Sequence, residues 1–198
     1  MTESERKQII ALVQREVIPA IGCTEPIAVA LCVAKATETL GAKPEKIKVL
    51  LSANILKNAM GVGIPGTGMI GLPIAVALGA LIGKSDYQLE VLKDSSPEAV
   101  EEGKKLIDEK RICISLKENI TEKLYIEVMC EAGGEQATAI ISGGHTTFVY
   151  VAKGDEILLN KQQVSGEEEE EEELELTLRK VYDFALTAPL DEIRFILE

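Results

Sequence analysis

The stretch Ala20-Ile21-Gly22-Cys23-Thr24-Glu25-Pro26 leads directly into an apolar run with helical spacing, residues 27–40. Thr24 is predicted as the N-cap of this helix, and Pro26 fits the first turn because the N–H that proline lacks would be unpaired there. Cys23 is then expected at the helix N-terminus, where free backbone donors and the helix dipole favour a thiolate. Such a residue could be a nucleophile or a ligand of a soft metal, and a small packed residue at a helix start is equally open.

The periodicity of the remaining chain predicts helices first and strands later. Helical spacing predicts helices over residues 4–17, 25–40, 70–82, 87–92, 97–109, 174–187 and 190–197. A short strand is predicted over 47–52, and alternation after residue 110 predicts an antiparallel sheet with strands over 112–116, 124–130, 136–141, 148–153 and 157–159. We therefore predict an α+β (mixed α/β) fold in three parts. A mainly helical part with a glycine-rich loop covers 1–110, an antiparallel β section covers 111–160, and an acidic linker with C-terminal helices covers 161–198.

The composition is that of a folded globular protein. With 46% hydrophobic residues, 198 residues can form a substantial core. The net charge is −12, and residues 167–173 form an acidic run that is predicted to be a solvated tether. No basic stripe is present, which argues against binding to nucleic acid. The charged N-terminus lacks a signal-peptide core, and the longest apolar run, 69–82, is too short and interrupted to span a bilayer, so we expect a cytoplasmic protein that binds no membrane.

The segment from Gly61 to Gly71 contains five glycines in eleven residues. It includes two overlapping G-x-G-x-x-G matches, but a dinucleotide fingerprint needs the glycines directly after a strand, whereas residues 54–60 intervene and Pro65 interrupts the loop. A Walker A loop is excluded because no Gly-Lys-Ser or Gly-Lys-Thr follows. The segment is predicted either to pack tightly between helices or to bind an anion such as a substrate carboxylate through its free N–H groups.

Several polar side chains near this loop are candidate ligand contacts. Asn54, Lys57 and Asn58 have helical spacing and could hold an α-carboxylate. A Schiff-base role for Lys57 is disfavoured because nothing else resembles a pyridoxal phosphate site. His145 is the single histidine and lies between glycines and threonines, where it could be a general acid or base or a hydrogen-bonded structural residue.

The other cysteines show no pattern of a site. Cys32, Cys113 and Cys130 are predicted to be packing residues within a helix and two strands. The chain has no C-x-x-C pair and no secretory signal, which argues against a disulfide scaffold or a self-contained zinc site. The chain stops directly after the apolar residues 193–197, which suggests a polypeptide whose further part packs on the last helix.

Three segments taken in order, residues 22–26, 54–73 and 143–146, resemble the L-cysteine desulfidase family, relatives of the iron–sulfur L-serine dehydratase alpha subunit. The resemblance covers nearly the whole chain, up to residues 193–197. Members of that family are much longer, so this chain resembles their N-terminal half only.

The resemblance implies a cytoplasmic lyase of amino-acid catabolism with a [4Fe–4S] cluster, which converts L-cysteine to pyruvate, ammonia and sulfide, or eliminates water from L-serine. By position Cys23 matches a cluster ligand, and the other ligand cysteines belong to the half that is missing here. His145 and Thr146 would position the substrate or move a proton. The substrate contacts implied are Thr24, Glu25, Asn54, Lys57, Asn58, Gly66, Thr67 and Gly68.

Several expectations follow for the isolated chain. It should lack the cluster and be inactive without the C-terminal half or a second polypeptide. The alternative is a non-catalytic module that binds a small amino or keto acid. The sequence leaves the choice between cysteine and serine open, and the oligomeric state as well, a homo-oligomer included.

Overall fold

A computed structural model describes residues 1–161 and 176–197, so the predicted acidic tether at 167–173 lies outside the described residues. The chain divides into two compact units, Ala20–Val164 and Met1–Pro19 with Ser165–Glu198. No described helix combines the length and the hydropathy that crossing a bilayer requires.

The predicted α+β class is confirmed: N-terminal helices are followed by a mostly antiparallel sheet and then by C-terminal helices. The helices are α1 (Glu3–Glu16), α2 (Thr24–Leu40), α3 (Ala53–Ala59), α4 (Leu72–Ile82), α5 (Pro97–Asp108), α6 (Leu178–Thr187) and α7 (Leu190–Ile193). The strands are β1 (Lys46–Leu51), β2 (Gly63–Ile64), β3 (Met69–Ile70), β4 (Ile112–Leu116), β5 (Tyr125–Ala132), β6 (Glu135–Ser142), β7 (Phe148–Lys153) and β8 (Glu156–Asn160).

The main sheet has six strands in the order β4-β1-β5-β6-β7-β8. All neighbours are antiparallel except β1 and β4, which pair in parallel with Ile47 opposite Ile112. The prediction that β4 belongs to an antiparallel section was therefore wrong, because alternation along one strand does not reveal the direction of its partner. The boundary predicted after residue 110 also does not separate compact units, since β1 comes from the predicted helical part and lies inside the sheet.

Helix α2 is the centre of the core in the larger unit. Eleven of its residues are buried, and it contacts α4 on one side and strands β5 and β6 on the other. It ends at Gly41, whose φ of 76° gives the left-handed conformation expected of a C-terminal glycine. Helix α4 approaches α2 so closely that a Cβ on Gly79 would lie 2.6 Å from the Ala30 carbonyl oxygen. A side chain at position 79 therefore has no room.

The buried cysteines confirm two of the three packing predictions. Cys32 donates its S–H to the Ala139 carbonyl at 3.3 Å, and burial raises its pKa well above the ordinary range. Burial also raises the pKa of Cys130 to about 11. Cys113 is different, because β4 is an edge strand and its side chain is exposed. The packing prediction for Cys113 was wrong.

Three predicted helices differ from the structure. Residues 87–92 were predicted as a regular helix, whereas Ser85–Glu90 form a 3-10 helix that is kinked at Gln88, where φ is 51°. The helix predicted over 174–187 begins at Leu178 as α6, with Thr177 as its extended N-cap, and residues 174–175 of the prediction lie outside the described residues. The last predicted helix is α7 followed by a 3-10 turn, Arg194–Leu197.

Candidate functional site

The start of α2 presents Cys23 beside a carboxylate. Cys23, and not Thr24, is the N-cap residue, with extended backbone angles of −69° and 132°. Thr24 is already helical, so its prediction as the N-cap was wrong by one residue. The Cys23 side chain makes no cap bond; its S–H donates to Glu25 Oε2 at 3.0 Å, and the Thr24 hydroxyl lies 3.3 Å from the same oxygen.

This contact reverses the expected ionisation of Cys23. The hydrogen bond to Glu25, with some burial, raises the pKa of the Cys23 thiol, whereas the helix position alone predicted a thiolate. The same hydrogen bond lowers the pKa of Glu25. The hydrogen bond therefore favours a neutral thiol next to an ionised carboxylate, and it opposes the thiolate that the helix position alone would favour.

Asn58 reaches the same carboxylate from α3. Its Nδ2 donates to Glu25 Oε1 at 3.4 Å. Helix α3 begins directly after β1, and the Ser52 hydroxyl at this junction donates to the Lys123 carbonyl at 2.8 Å. The end of β1 thereby fixes the helix that carries Asn58.

His145 lies in the loop between β6 and β7. It is near enough to Glu25 for its charge when protonated to make a small contribution to the lowered pKa of that carboxyl. The loop turns at Gly143, where φ is 80°, and the Gly143 N–H donates to the Leu124 carbonyl at 3.2 Å. Thr146 follows in the same loop and is half-buried.

The glycine segment forms a small hairpin of β2 and β3. Its turn has Pro65 and Gly66 at the centre, with φ of 77° at Gly66 and the Thr67 N–H donating to the Ile64 carbonyl, which is the pattern of a type II turn. The Thr67 hydroxyl donates to Ile64 at 2.7 Å and accepts from the Met69 N–H at 3.0 Å. Two of the N–H groups predicted to face an anion are thus bonded inside the hairpin, and the ligand roles of Gly66, Thr67 and Gly68 stay predictions.

The hairpin lies against the segment that carries Cys23. A Cβ placed on Gly22 would lie 2.8 Å from Pro65 Cγ, and Gly22 has φ of 90°. Only glycine fits this close approach without a shift of the turn. The predicted segments 22–26 and 54–73 are therefore in contact, and His145 of segment 143–146 is near enough to act on Glu25 through its charge.

Two residues that were predicted to contact the substrate, Asn54 and Lys57, form no hydrogen bond or ion pair with Glu25 in the part of the chain that the structure describes. Asn54 lines a groove of about 550 Å³ together with Ser52 and the loop over residues 116–123. Lys57 is exposed and forms no ion pair with a described residue. Asn54 and Asn58 are one turn apart on α3, and the residues that line this groove include Asn54 but neither Asn58 nor Glu25.

One polar cluster near this groove was missed by the sequence analysis. The Tyr125 hydroxyl and the Lys117 ammonium both donate to Glu127 Oε2, at 2.7 and 2.6 Å. Burial, with the bond to Glu127, raises the pKa of Tyr125. The two-residue spacing of Tyr125 and Glu127 could have placed them on one face of β5, but no local signal brings Lys117 to them.

A [4Fe–4S] cluster does not fit on the described residues alone. Over residues 1–161 and 176–197 no group of three or more His, Cys, Asp or Glu side chains is arranged to hold a metal ion. Such a cluster needs several thiolate ligands, and Cys23 is a single thiol at this site.

Comparison with known proteins gives relatives of greater length. The chain is similar to a UPF0597 protein of Bacteroides fragilis, with 96% identity over 198 residues, which is all of this chain and 46% of the relative. UPF0597 proteins of Bacteroides thetaiotaomicron and Porphyromonas gingivalis are 78% and 48% identical and are covered to 46% and 47%. The chain thus spans about half the length of the curated relatives it matches. No family model and no solved structure matches the chain.

Proposed function

We propose that this chain carries the substrate-binding part of a lyase that releases sulfide from L-cysteine, or water from L-serine, together with ammonia to give pyruvate. The observation that supports the proposal is the convergence on Glu25: Cys23 and Asn58 come from two separate segments and hydrogen-bond to one carboxylate, and His145 in a third segment is near enough for its charge when protonated to lower the pKa of that carboxylate. These are the segments that carry the resemblance to the L-cysteine desulfidase family.

Each side chain has a proposed role at this site. His145 is the group suited to accept or return a proton near neutral pH, with Thr146 beside it in the loop. Lys57, Asn54 and the hairpin amides of Gly66 and Gly68 are proposed to hold the α-carboxylate of the substrate. Thr24 and Asn58 hold Glu25 in place through its two oxygens.

Cys23 is proposed as one metal ligand in the longer protein. The further ligands of a [4Fe–4S] cluster would have to come from outside the described residues, and the other proposed roles do not require the cluster. A metal ligand must be the thiolate, so Cys23 would have to lose the proton that it now donates to Glu25.

The raised pKa of Cys23 favours a second candidate function. A neutral thiol is a poor nucleophile and a poor metal ligand, which suits a non-catalytic module that binds a small amino or keto acid. In that case the same carboxylate and hairpin would bind the ligand without turnover.

Pyruvate formation distinguishes the proposed lyase from the non-catalytic binding module. The protein to test is a chimaera in which this chain replaces the matching 198 residues of the Bacteroides fragilis relative, reconstituted with iron and sulfide without oxygen. A lyase should form pyruvate from L-cysteine or L-serine. Calorimetric binding of either amino acid without pyruvate formation, in the chimaera and in this chain alike, would favour the binding module and contradict the lyase.

A further inference from the structure

Glu25 is an ionised carboxylate whose hydrogen-bond donors are all neutral. The thiol of Cys23 and the hydroxyl of Thr24 face Oε2 at 3.0 and 3.3 Å, and the amide of Asn58 faces Oε1 at 3.4 Å. No Lys or Arg among residues 1–161 and 176–197 forms an ion pair with it, and the charge nearby is that of His145 when protonated.

The Glu25 carboxylate is also held in place and can accept further hydrogen bonds. Both oxygens are held, one from the start of α2 and one from α3, so its position depends on two packed helices. The donor to Oε1 is long for a hydrogen bond, and a carboxylate can accept about four. The side chain is half-buried, so a small ligand can reach it. A half-buried negative charge with neutral donors is best matched by a cationic ligand group.

We propose that Glu25 binds the α-ammonium group of the amino-acid ligand and thereby makes the site specific for α-amino acids over hydroxy and keto acids. The inference rests on the proposed function, because it assumes that this site holds the substrate. It assigns the two charged ends of an amino acid to different parts of the site: the ammonium to Glu25, and the carboxylate to the hairpin and α3.

Two ligands without a β leaving group test the proposal by binding alone. L-alanine and L-lactate share the carboxylate and the methyl group and differ in the ammonium, and neither can be eliminated. Calorimetry on the chimaera should show tighter binding of L-alanine than of L-lactate. In Glu25→Gln the affinity for L-alanine should fall on the order of 10- to 100-fold, while that for L-lactate changes by less than about threefold, because the loss is that of a charge-assisted hydrogen bond.

Two further variants make the outcome specific. Glu131→Gln removes an exposed carboxylate from β5 and should leave both affinities unchanged. Glu25→Asp keeps the charge and should retain a preference for L-alanine. Equal losses for both ligands, or none, in Glu25→Gln would overturn the inference while the proposed function stands. Failure of the unaltered chimaera to bind either ligand or to turn over L-cysteine or L-serine would overturn both.

Discussion

At the scale of single residues, Cys23 and Glu25 determine each other's ionisation. The thiol donates to the carboxylate at 3.0 Å, which raises the pKa of Cys23 and lowers that of Glu25. A helix N-terminus alone would favour the thiolate, but a direct hydrogen bond to an anion outweighs this effect because a weak dipole acts against a full negative charge. Deprotonation of Cys23 would therefore also remove the hydrogen bond that Glu25 accepts from the thiol.

The pH profile of cysteine alkylation should report this coupling. The measurement is made in a Cys113→Ala background, since Cys113 is the exposed cysteine and Cys32 and Cys130 are buried. Because the neutral thiol is stabilised by Glu25, alkylation of Cys23 by iodoacetamide should rise only above the ordinary thiol pKa. In Glu25→Gln the acceptor charge is gone, so the profile should move to lower pH. An unchanged profile would show that the hydrogen bond does not control the thiol.

The sequence does not reveal that Glu25 accepts hydrogen bonds from residues of separate segments. The sequence provides candidate residues in three segments, and their roles stay predictions, but it does not show which of them touch. Asn58 is 33 positions from Glu25 in the sequence, and His145 follows much later, between β6 and β7. Long-range contacts of this kind depend on how β1 and β6 are placed in the sheet.

At the scale of elements, the packing of α2 on α4 sets the position of the site. The close approach at Gly79 and Ala30 brings the two helices together, and α2 carries Cys23 and Glu25 at its start. Helix α4 begins directly after the hairpin, at Gly71, where φ is 90°. One helix pair thereby holds both the carboxylate and the glycine hairpin.

Gly79→Ala should destabilise the protein. Alanine in a helix is favoured over glycine by about 1 kcal/mol, but overpacking a core costs about 1–3 kcal/mol, and here the added Cβ would lie 2.6 Å from a backbone oxygen. We expect a net loss of about 1–2 kcal/mol in the free energy of unfolding, measured by urea denaturation. Gly61→Ala is the control, since its Cβ would meet nothing within 4 Å. Equal stability of the two variants would contradict this packing.

Gly22→Ala should act on the site itself. A Cβ there would lie 2.8 Å from Pro65 Cγ on a backbone with φ of 90°, so the Cys23 segment and the hairpin must move apart. The affinity of the chimaera for L-alanine, measured by calorimetry, should fall more in Gly22→Ala than in Gly61→Ala, because both parts of the proposed site are displaced. Unchanged affinity with a folded protein would show that the hairpin is not part of the site.

The elements were predicted well where the signal is local. Helices α2 and α5 were predicted over 25–40 and 97–109 and are observed at Thr24–Leu40 and Pro97–Asp108, since helical periodicity depends on neighbouring residues. The parallel pairing of β4 with β1 was not found, because strand direction depends on the crossover formed by α3 to α5. The exposure of Cys113 was also missed, because it depends on the position of β4 at an edge of the sheet, which the local sequence does not show.

At the scale of the whole molecule, the chain spans about half the length of its curated relatives. Helix α6 in the smaller unit exposes an apolar stripe at a spacing of four residues, with Leu178 at 90%, Tyr182 at 60% and Leu186 at 67% exposure. Contiguous apolar surface of this kind marks interaction sites. We expect the rest of the relatives' length to cover it.

Hydrogen exchange should detect that cover. In the chimaera the amides of α6 should exchange more slowly than in this chain alone, because a packed partner suppresses local opening. Strands β5 and β6, which lie inside the sheet, serve as the internal reference with similar exchange in both. Equal exchange of α6 in the two proteins would mean that the further residues do not pack on it.

The most direct test of the proposed lyase is anaerobic pyruvate formation from L-cysteine by the reconstituted chimaera, compared between Cys23→Ala and Cys113→Ala. The two variants remove one thiol each, at the Glu25 site and at the exposed edge of the sheet. We predict that the Cys113 variant keeps the rate of the unaltered chimaera and that the Cys23 variant loses it by on the order of 100-fold or more, as expected for an essential active-site group. Equal pyruvate formation by the two variants would contradict the assignment of Cys23 to the active site.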